Sequence, residues 1–237
     1  WSPAIREMKR LIDAGKIGRV WEVKWRNGAS MGPLSYNKPV DDFTDPEKGA
    51  EWWYQSAPGG GALLDYCCYG ACLSRWFLGE QAVSAMGMAA NLNSHFGDAE
   101  DNAVITVRFP QAMAILEGTW TTWNVGVPTG PIVYGTTGTL VASIDKSGEQ
   151  PRSVVEVHTT RSHRLTEPDE VIEGEPLPDG QSTPAEAFIH HLESGEPLHP
   201  TLDMMQNVGV MAILDAGIRS VRSGKMELVN DQHWCVG

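Results

Sequence analysis

The chain has 237 residues, an ordinary globular composition and a formal net charge of −12. That balance excludes an extended nucleic-acid surface, which needs a basic stripe to pair with phosphate. No apolar run approaches the length of a membrane span.

Residues 2–14, SPAIREMKRLIDA, predict a helix. Ser2 suits the capping position and Pro3 the first turn. Ile5, Met8, Leu11 and Ile12 recur at helical spacing, and Gly15 ends the pattern. VWEVKWRN then alternates as a strand from Val20, with Trp21, Val23 and Trp25 on one side and Glu22, Lys24 and Arg26 on the other. Residues 28–58 read as one long irregular loop carrying Trp52, Trp53 and Tyr54. Aromatics in such a loop either wall a pocket or pack the loop onto the core.

Residues 62–78 predict a second helix, stopped by Gly79 and preceded by the triplet Gly59–Gly61. Strand-like runs follow from Val83, Asn102, Ala112, Pro131, Thr139 and Ser153. Most connections are short, as antiparallel neighbours require. GTTGT at Gly135 reads as a hairpin turn; with no Lys after its glycines it is no phosphate loop. Residues 164–183 are acidic and proline-rich and read as an exposed excursion. Residues 184–193 and 202–222 predict helices, the second ended by Gly224, and MELV a last short strand. Strands grouped in sequence and flanked by helices indicate an α+β fold: one large, mostly antiparallel, open-faced β-sheet with helices on one face. No linker or repeat divides residues 1–237, which read as a single domain.

On a regular helix over 62–78, Asp65, Tyr69, Cys72 and Trp76 share one stripe. A phenol beside a carboxylate can donate to it, and the negative charge favours the neutral phenol. A tyrosine acting as a base needs a nearby cation, and no lysine lies near this stretch. From the residues alone, the pair is either a buried tyrosine with a hydrogen-bonding acid or a proton-transfer site short of one partner. Four cysteines, Cys67, Cys68, Cys72 and Cys235, lack the paired spacing of a zinc site and read as small buried thiols in a reducing, cytoplasmic setting. No HExxH set or GxSxG elbow is present, so metal and serine-hydrolase chemistry find no support.

Several stretches, in order, resemble one family. PAIREMKRLIDAGKIGRVWEVKW, GGGALLDYCCYGACLSRWFLG, DNAVITVRFPQAMAILEGTW, GTTGTL and NVGVMAILDAGIRSVRSGKMELV together are similar to the C-terminal domain of the glucose–fructose oxidoreductase/inositol dehydrogenase/MocA (Gfo/Idh/MocA) family of NAD(P)-dependent oxidoreductases. The resemblance covers nearly the whole chain. It implies that Asp65 and Tyr69 are catalytic. In the branch that resembles glucose–fructose oxidoreductase and dihydrodiol dehydrogenase, a tyrosine follows a carboxylate by four residues. Tyr69 would exchange the proton of a substrate hydroxyl or carbonyl, and Asp65 would orient substrate or phenol. The missing cation would be the lysine of a Glu-Lys-Pro motif in a nucleotide-binding Rossmann domain. That domain is absent from this chain, has no GxGxxG here, and is expected upstream of Trp1.

By the same resemblance, Arg26, Asn27, Trp53, Trp120 and Trp123 are candidates to bind a sugar, cyclitol or diol. The cofactor would be NAD or NADP, held mainly by the missing domain, and the open sheet face would serve a homo-oligomer. The alternative is a non-catalytic oligomerisation or carbohydrate-binding module.

Overall fold

The computed structural model describes residues 1–33, 42–123, 130–148, 150–164 and 166–229. Cys235 lies outside them. Helix α1 spans Pro3–Asp13; Ser2 precedes it in extended backbone, but its hydroxyl makes no capping bond. Strand β1 spans Val20–Gly28. A short helix, α2, Asp45–Ala50, interrupts the stretch expected to be irregular. It is fixed by a capping box in which Thr44 accepts from the Glu47 N–H and the Glu47 carboxylate reaches back. A 3-10 turn follows at Trp52–Tyr54.

The second long helix forms where the sequence places it, and Gly79 ends it in the left-handed conformation. Its first turn differs: Leu63–Cys67 is π-helical, and regular α3 runs only over Cys68–Leu78.

Strands β2 Ser84–Ala90, β3 Asn102–Arg108, β4 Met113–Thr119, β5 Ile132–Gly135, β6 Thr139–Asp145 and β7 Arg152–His158 correspond to the predicted runs. The acidic excursion adds a short edge strand, β8 Glu170–Glu173, which pairs with β7. Ile172 packs against the core while Val171 and the two glutamates are exposed, as an edge strand with one covered face allows. Helices α4 Pro184–Ser194 and α5 Met204–Ser223 follow, and β9 Glu227–Leu228 pairs with β2.

The nine strands of the described residues form one sheet in the order β8-β7-β6-β5-β1-β4-β3-β2-β9. Every pairing is antiparallel except β1 with β4. Helix α1 packs on β6 to β8, α3 on β1 and β4, and α5 on β2. The core between helices and sheet includes Met8, Val23, Cys67, Leu116, Leu140 and Ile213. Among the described residues no helix is long and apolar enough to cross a membrane.

Strand β1 departs from its simple alternation. Its register against β5 shifts between Val20 and Glu22. Such a bulge sets two residues against one and re-aims a side chain. Val20 and Val23 are both buried, while Trp21 is exposed and its ring meets Tyr134 at 5.5 Å. Trp21 therefore does not share the core face with Val23 and Trp25.

Candidate functional site

The site is built where the π-helical turn crosses the ends of β1 and β4. The indole N–H of Trp25 donates to the Tyr66 carbonyl at 3.0 Å and ties that turn to β1. Gly70 permits the approach: a Cβ there would stand 2.8 Å from the Trp25 ring. A π turn carries an extra residue relative to an α turn and recurs at functional sites. Here the Asp65 carboxylate finds its hydrogen-bond donor at the strand ends and not at Tyr69. Asp65 Oδ2 accepts a 2.9 Å hydrogen bond from the indole N–H of Trp120, 55 residues further along the chain. The expected phenol-to-carboxylate bond is replaced by this one. Burial pushes the Asp65 carboxyl above the usual carboxylate range, and the Trp120 bond offsets part of that rise.

Trp120 is 1% exposed. Its ring meets the edge of Tyr54 at 5.2 Å, and Trp53 and Tyr66 pack against the same cluster. The Tyr54 hydroxyl donates to the Gly32 carbonyl at 2.9 Å. Tyr54 thus pins the loop to the core, while Trp53 lies against Trp52 with ring centroids 3.9 Å apart.

Tyr69 is 52% exposed, and its ring stands 6.1 Å from that of Trp25. Among the described residues its phenol makes no hydrogen bond. Partial burial, followed by the neighbouring Cys68 and Asp65, pushes its pKa up. The group is therefore a neutral proton donor near pH 7, since an unperturbed phenol already titrates at about 10.

The triplet Gly59–Gly61 does not leave an open cradle. A Cβ on Gly60 would collide with the Trp53 carbonyl, and one on Gly61, at φ +116°, with the Glu100 carboxylate. Protein atoms fill the space that the missing side chains vacate at Gly60 and Gly61, whereas a Cβ on Gly59 would meet only Leu64 Cδ1, at 3.8 Å.

The structure separates the remaining candidates. Asn27 pairs with Gly118 in the β1–β4 register, on the helix-covered side, and its Oδ1 accepts from the Gly28 N–H at 3.0 Å. Arg26 points to the opposite, open face, where it meets Glu117 Oε1 at 2.9 Å. Trp123 is 101% exposed and stands apart from the Trp120 cluster. Asp65, Trp53 and Trp120 come together with Asn27 on the same side of the sheet, and Tyr69 lies on the flank.

Sequence reasoning missed Glu100 and Asp101, and named Tyr54 only among the loop aromatics. Asp101 is 0% exposed and accepts from the N–H groups of Leu92, Asn93 and Ser94 at 2.8, 2.9 and 2.6 Å. An acidic pair directly before a strand, AED-NAV, was the available signal.

This sheet, helix-covered on one side and bare on the other, with a carboxylate set on the covering helix, is the architecture of a C-terminal domain whose family can be named. The profile of the GFO/IDH/MocA C-terminal domain matches residues 5–141, and the chain belongs to that family. Comparison with curated protein sequences gave no match.

Solved structures share the fold. An NAD-binding oxidoreductase from Klebsiella pneumoniae superposes with a TM-score of 0.71 at 16% identity, covering 97% of this chain and 64% of that one. An aldose-aldose oxidoreductase from Caulobacter crescentus, complexed with glycerol, gives 0.67 at 19%, covering 94% and 60%. GenD2 from gentamicin A biosynthesis, in complex with NAD, gives 0.66 at 21%, covering 97% and 61%. The chain thus spans about three fifths of the length of these relatives.

Proposed function

We propose that this chain is the substrate-binding and catalytic part of an NAD(P)-dependent oxidoreductase. The reaction is hydride transfer between a nicotinamide cofactor, NAD or NADP, and the hydroxyl or carbonyl carbon of a sugar, cyclitol or diol. One observation carries the reading: a partly buried Asp65 carboxylate held by Trp120, with an exposed Tyr69 whose hydroxyl makes no hydrogen bond among the described residues. The family membership and the aldose and NAD relatives support the reaction class.

In the reductive direction Tyr69 gives its proton to the substrate oxygen as the carbonyl becomes an alcohol. In the oxidative direction its phenolate takes that proton back. General acid–base groups of this kind contribute about 10²–10⁴-fold. Asp65 accepts a substrate hydroxyl through the oxygen that Trp120 leaves free and so orders the ring before the chemistry. Trp53 offers an apolar wall, and Asn27 a polar group on the same side. Arg26 and Trp123 are left out of this proposal, because one lies across the sheet and the other is fully exposed. The cofactor is bound mainly by residues outside this chain.

The bare sheet face supports a homo-oligomer. Met86, Met88, Met113 and Trp21 are all exposed on it, a patch that a second subunit would cover. The free thiols of Cys67, Cys68 and Cys72 fit a cytoplasmic setting.

The test is a panel of aldoses, cyclitols and vicinal diols offered to the full-length protein with NAD and with NADP, following nicotinamide absorbance. Turnover of at least one member is expected. No turnover with either cofactor, by folded protein that binds nucleotide, contradicts the reading.

A further inference from the structure

Two consecutive residues outside the helix hold both halves of the Asp65–Trp120 contact. The Ala62 N–H donates to the Glu100 carbonyl at 2.9 Å, and the Leu63 N–H to Glu100 Oε1 at 3.1 Å. The backbone N–H of Trp120 donates to the Asp101 carbonyl at 2.8 Å. The Asp101 carboxylate is itself fixed by three backbone N–H groups of residues 92–94. The start of the turn that carries Asp65 and the residue that carries the indole are thus referenced to one dipeptide.

We propose that Glu100 is a positioning residue: its carboxylate, by holding the Leu63 N–H, fixes the π-helical turn in the register that aims Asp65 at Trp120 and the substrate side. The proposal rests on reading Asp65 as a substrate-facing group. Three features of the site argue for it. Leu63 stands two residues before Asp65, so its hydrogen bond sets the rotation of that turn. The first N–H groups of a helix have no partner within the helix and need an outside acceptor. Gly61, lacking a side chain, leaves the space that the carboxylate fills. Among the described residues no Lys, Arg or His pairs with Glu100, so the carboxylate is not there to neutralise a cation. Burial raises its pKa, which fits an acceptor enclosed by backbone rather than a solvated surface acid.

The clamp depends on reach, and two substitutions separate reach from charge. Glu100→Gln keeps an acceptor at the same distance without the charge. Glu100→Asp keeps the charge but withdraws the acceptor by one methylene.

The readout is the indole N–H signal of Trp120 in a ¹H–¹⁵N spectrum of the full-length protein labelled at tryptophan, assigned with Trp120→Phe and followed over pH. In the wild type this signal is expected to titrate with Asp65, whose carboxylate accepts from it. It is expected to keep its position and its inflection in Glu100→Gln, and to move and lose the inflection in Glu100→Asp while the other indole signals stay. An unmoved signal in Glu100→Asp overturns the proposal, as does a signal displaced equally in both variants. Turnover gives a second arm. A displacement of the order of 1 Å costs roughly 10²-fold, so kcat should fall in Glu100→Asp and recover in Glu100→Gln.

Asp65→Asn distinguishes the two ideas. If it turns over like wild type, the catalytic reading of Asp65 fails, while the spectral arm still decides the clamp.

Discussion

Trp120 and Asp65, far apart in sequence, meet through one hydrogen bond of 2.9 Å from a buried indole to a carboxylate at a helix start. The bond holds the acid in an apolar setting that would otherwise favour its neutral form, and among the described residues it leaves one carboxylate oxygen free. Removing the donor should therefore push the Asp65 pKa further up. In Trp120→Phe the acid limb of the kcat/KM profile should move to higher pH, because ionised Asp65 is lost sooner as pH falls. The measurement is the pH–rate profile of both proteins, and an unmoved limb would separate Asp65 from the rate. The same substitution should lower stability by about 1–3 kcal/mol, from the stranded carboxylate and the smaller ring, read as a shift in the denaturant midpoint.

Asp101 makes the opposite electrostatic case. Burial acts to raise its pKa, but the N–H groups of Leu92, Ser94 and Asn93 and the Asn102 amide outweigh it, and the net shift is downward. A depressed folded-state pKa stabilises the protein above the ordinary aspartate range, and that stability is lost as pH falls through the folded value. Asp101→Asn should cost about 3 kcal/mol near neutral pH. The gap from wild type should narrow as pH drops below about 4. Thermal melts across that range check it; a gap independent of pH would contradict the charge-based account.

Gly61→Ala tests the close approach at the helix start. The residue sits at φ +116°, where L side chains are strained, and its Cβ would fall on the Glu100 carboxylate. A loss of more than about 1 kcal/mol is expected, larger than the loss in Gly180→Ala, which carries the positive-φ strain alone. That glycine also has positive φ but no neighbour within 4 Å of a Cβ. Equal losses in a chemical denaturation series would assign the cost to backbone strain alone.

The open sheet face yields a test of assembly. Met88 is 71% exposed on β2, between Ala89 and Gly87, which turn toward the helices. Met88→Lys should leave the melting temperature of a dilute subunit nearly unchanged but lower the assembled mass in light scattering. An unchanged mass would place the interface elsewhere.

The architecture was largely legible in the sequence because it depends on periodicity. The strands from Asn102 and Ala112 alternate cleanly, and Gly79 and Gly224 mark helix ends with the one conformation that glycine adopts without strain. Helix α2 was also announced, by the Thr44–Glu47 capping box, in a stretch read as loop. The π-helical turn was not announced. No residue type marks a hydrogen-bond register, and a regular helix drawn through LLDYC places Asp65 beside Tyr69. The bulge that turns Trp21 outward is likewise set by pairing with β5, which lies more than a hundred residues away.

The site was legible in its residues more than in its contacts. Asp65, Trp120 and Trp53 were named and come together. Arg26 was placed by its nearness to the end of β1, but strand alternation sends it to the face opposite Trp25. Glu100 and Asp101 act through backbone N–H groups of distant segments, and only the folded chain brings those together.

The most direct test of the central claim is the turnover of Tyr69→Phe in the full-length protein, on any substrate the wild type accepts. Tyr69 is half exposed and makes no hydrogen bond among the described residues, so the melting temperature should hold. With the proton donor gone, kcat should fall by about 10²–10⁴-fold while nucleotide binding persists. Turnover equal to wild type, in protein of unchanged stability, would contradict a catalytic role for Tyr69.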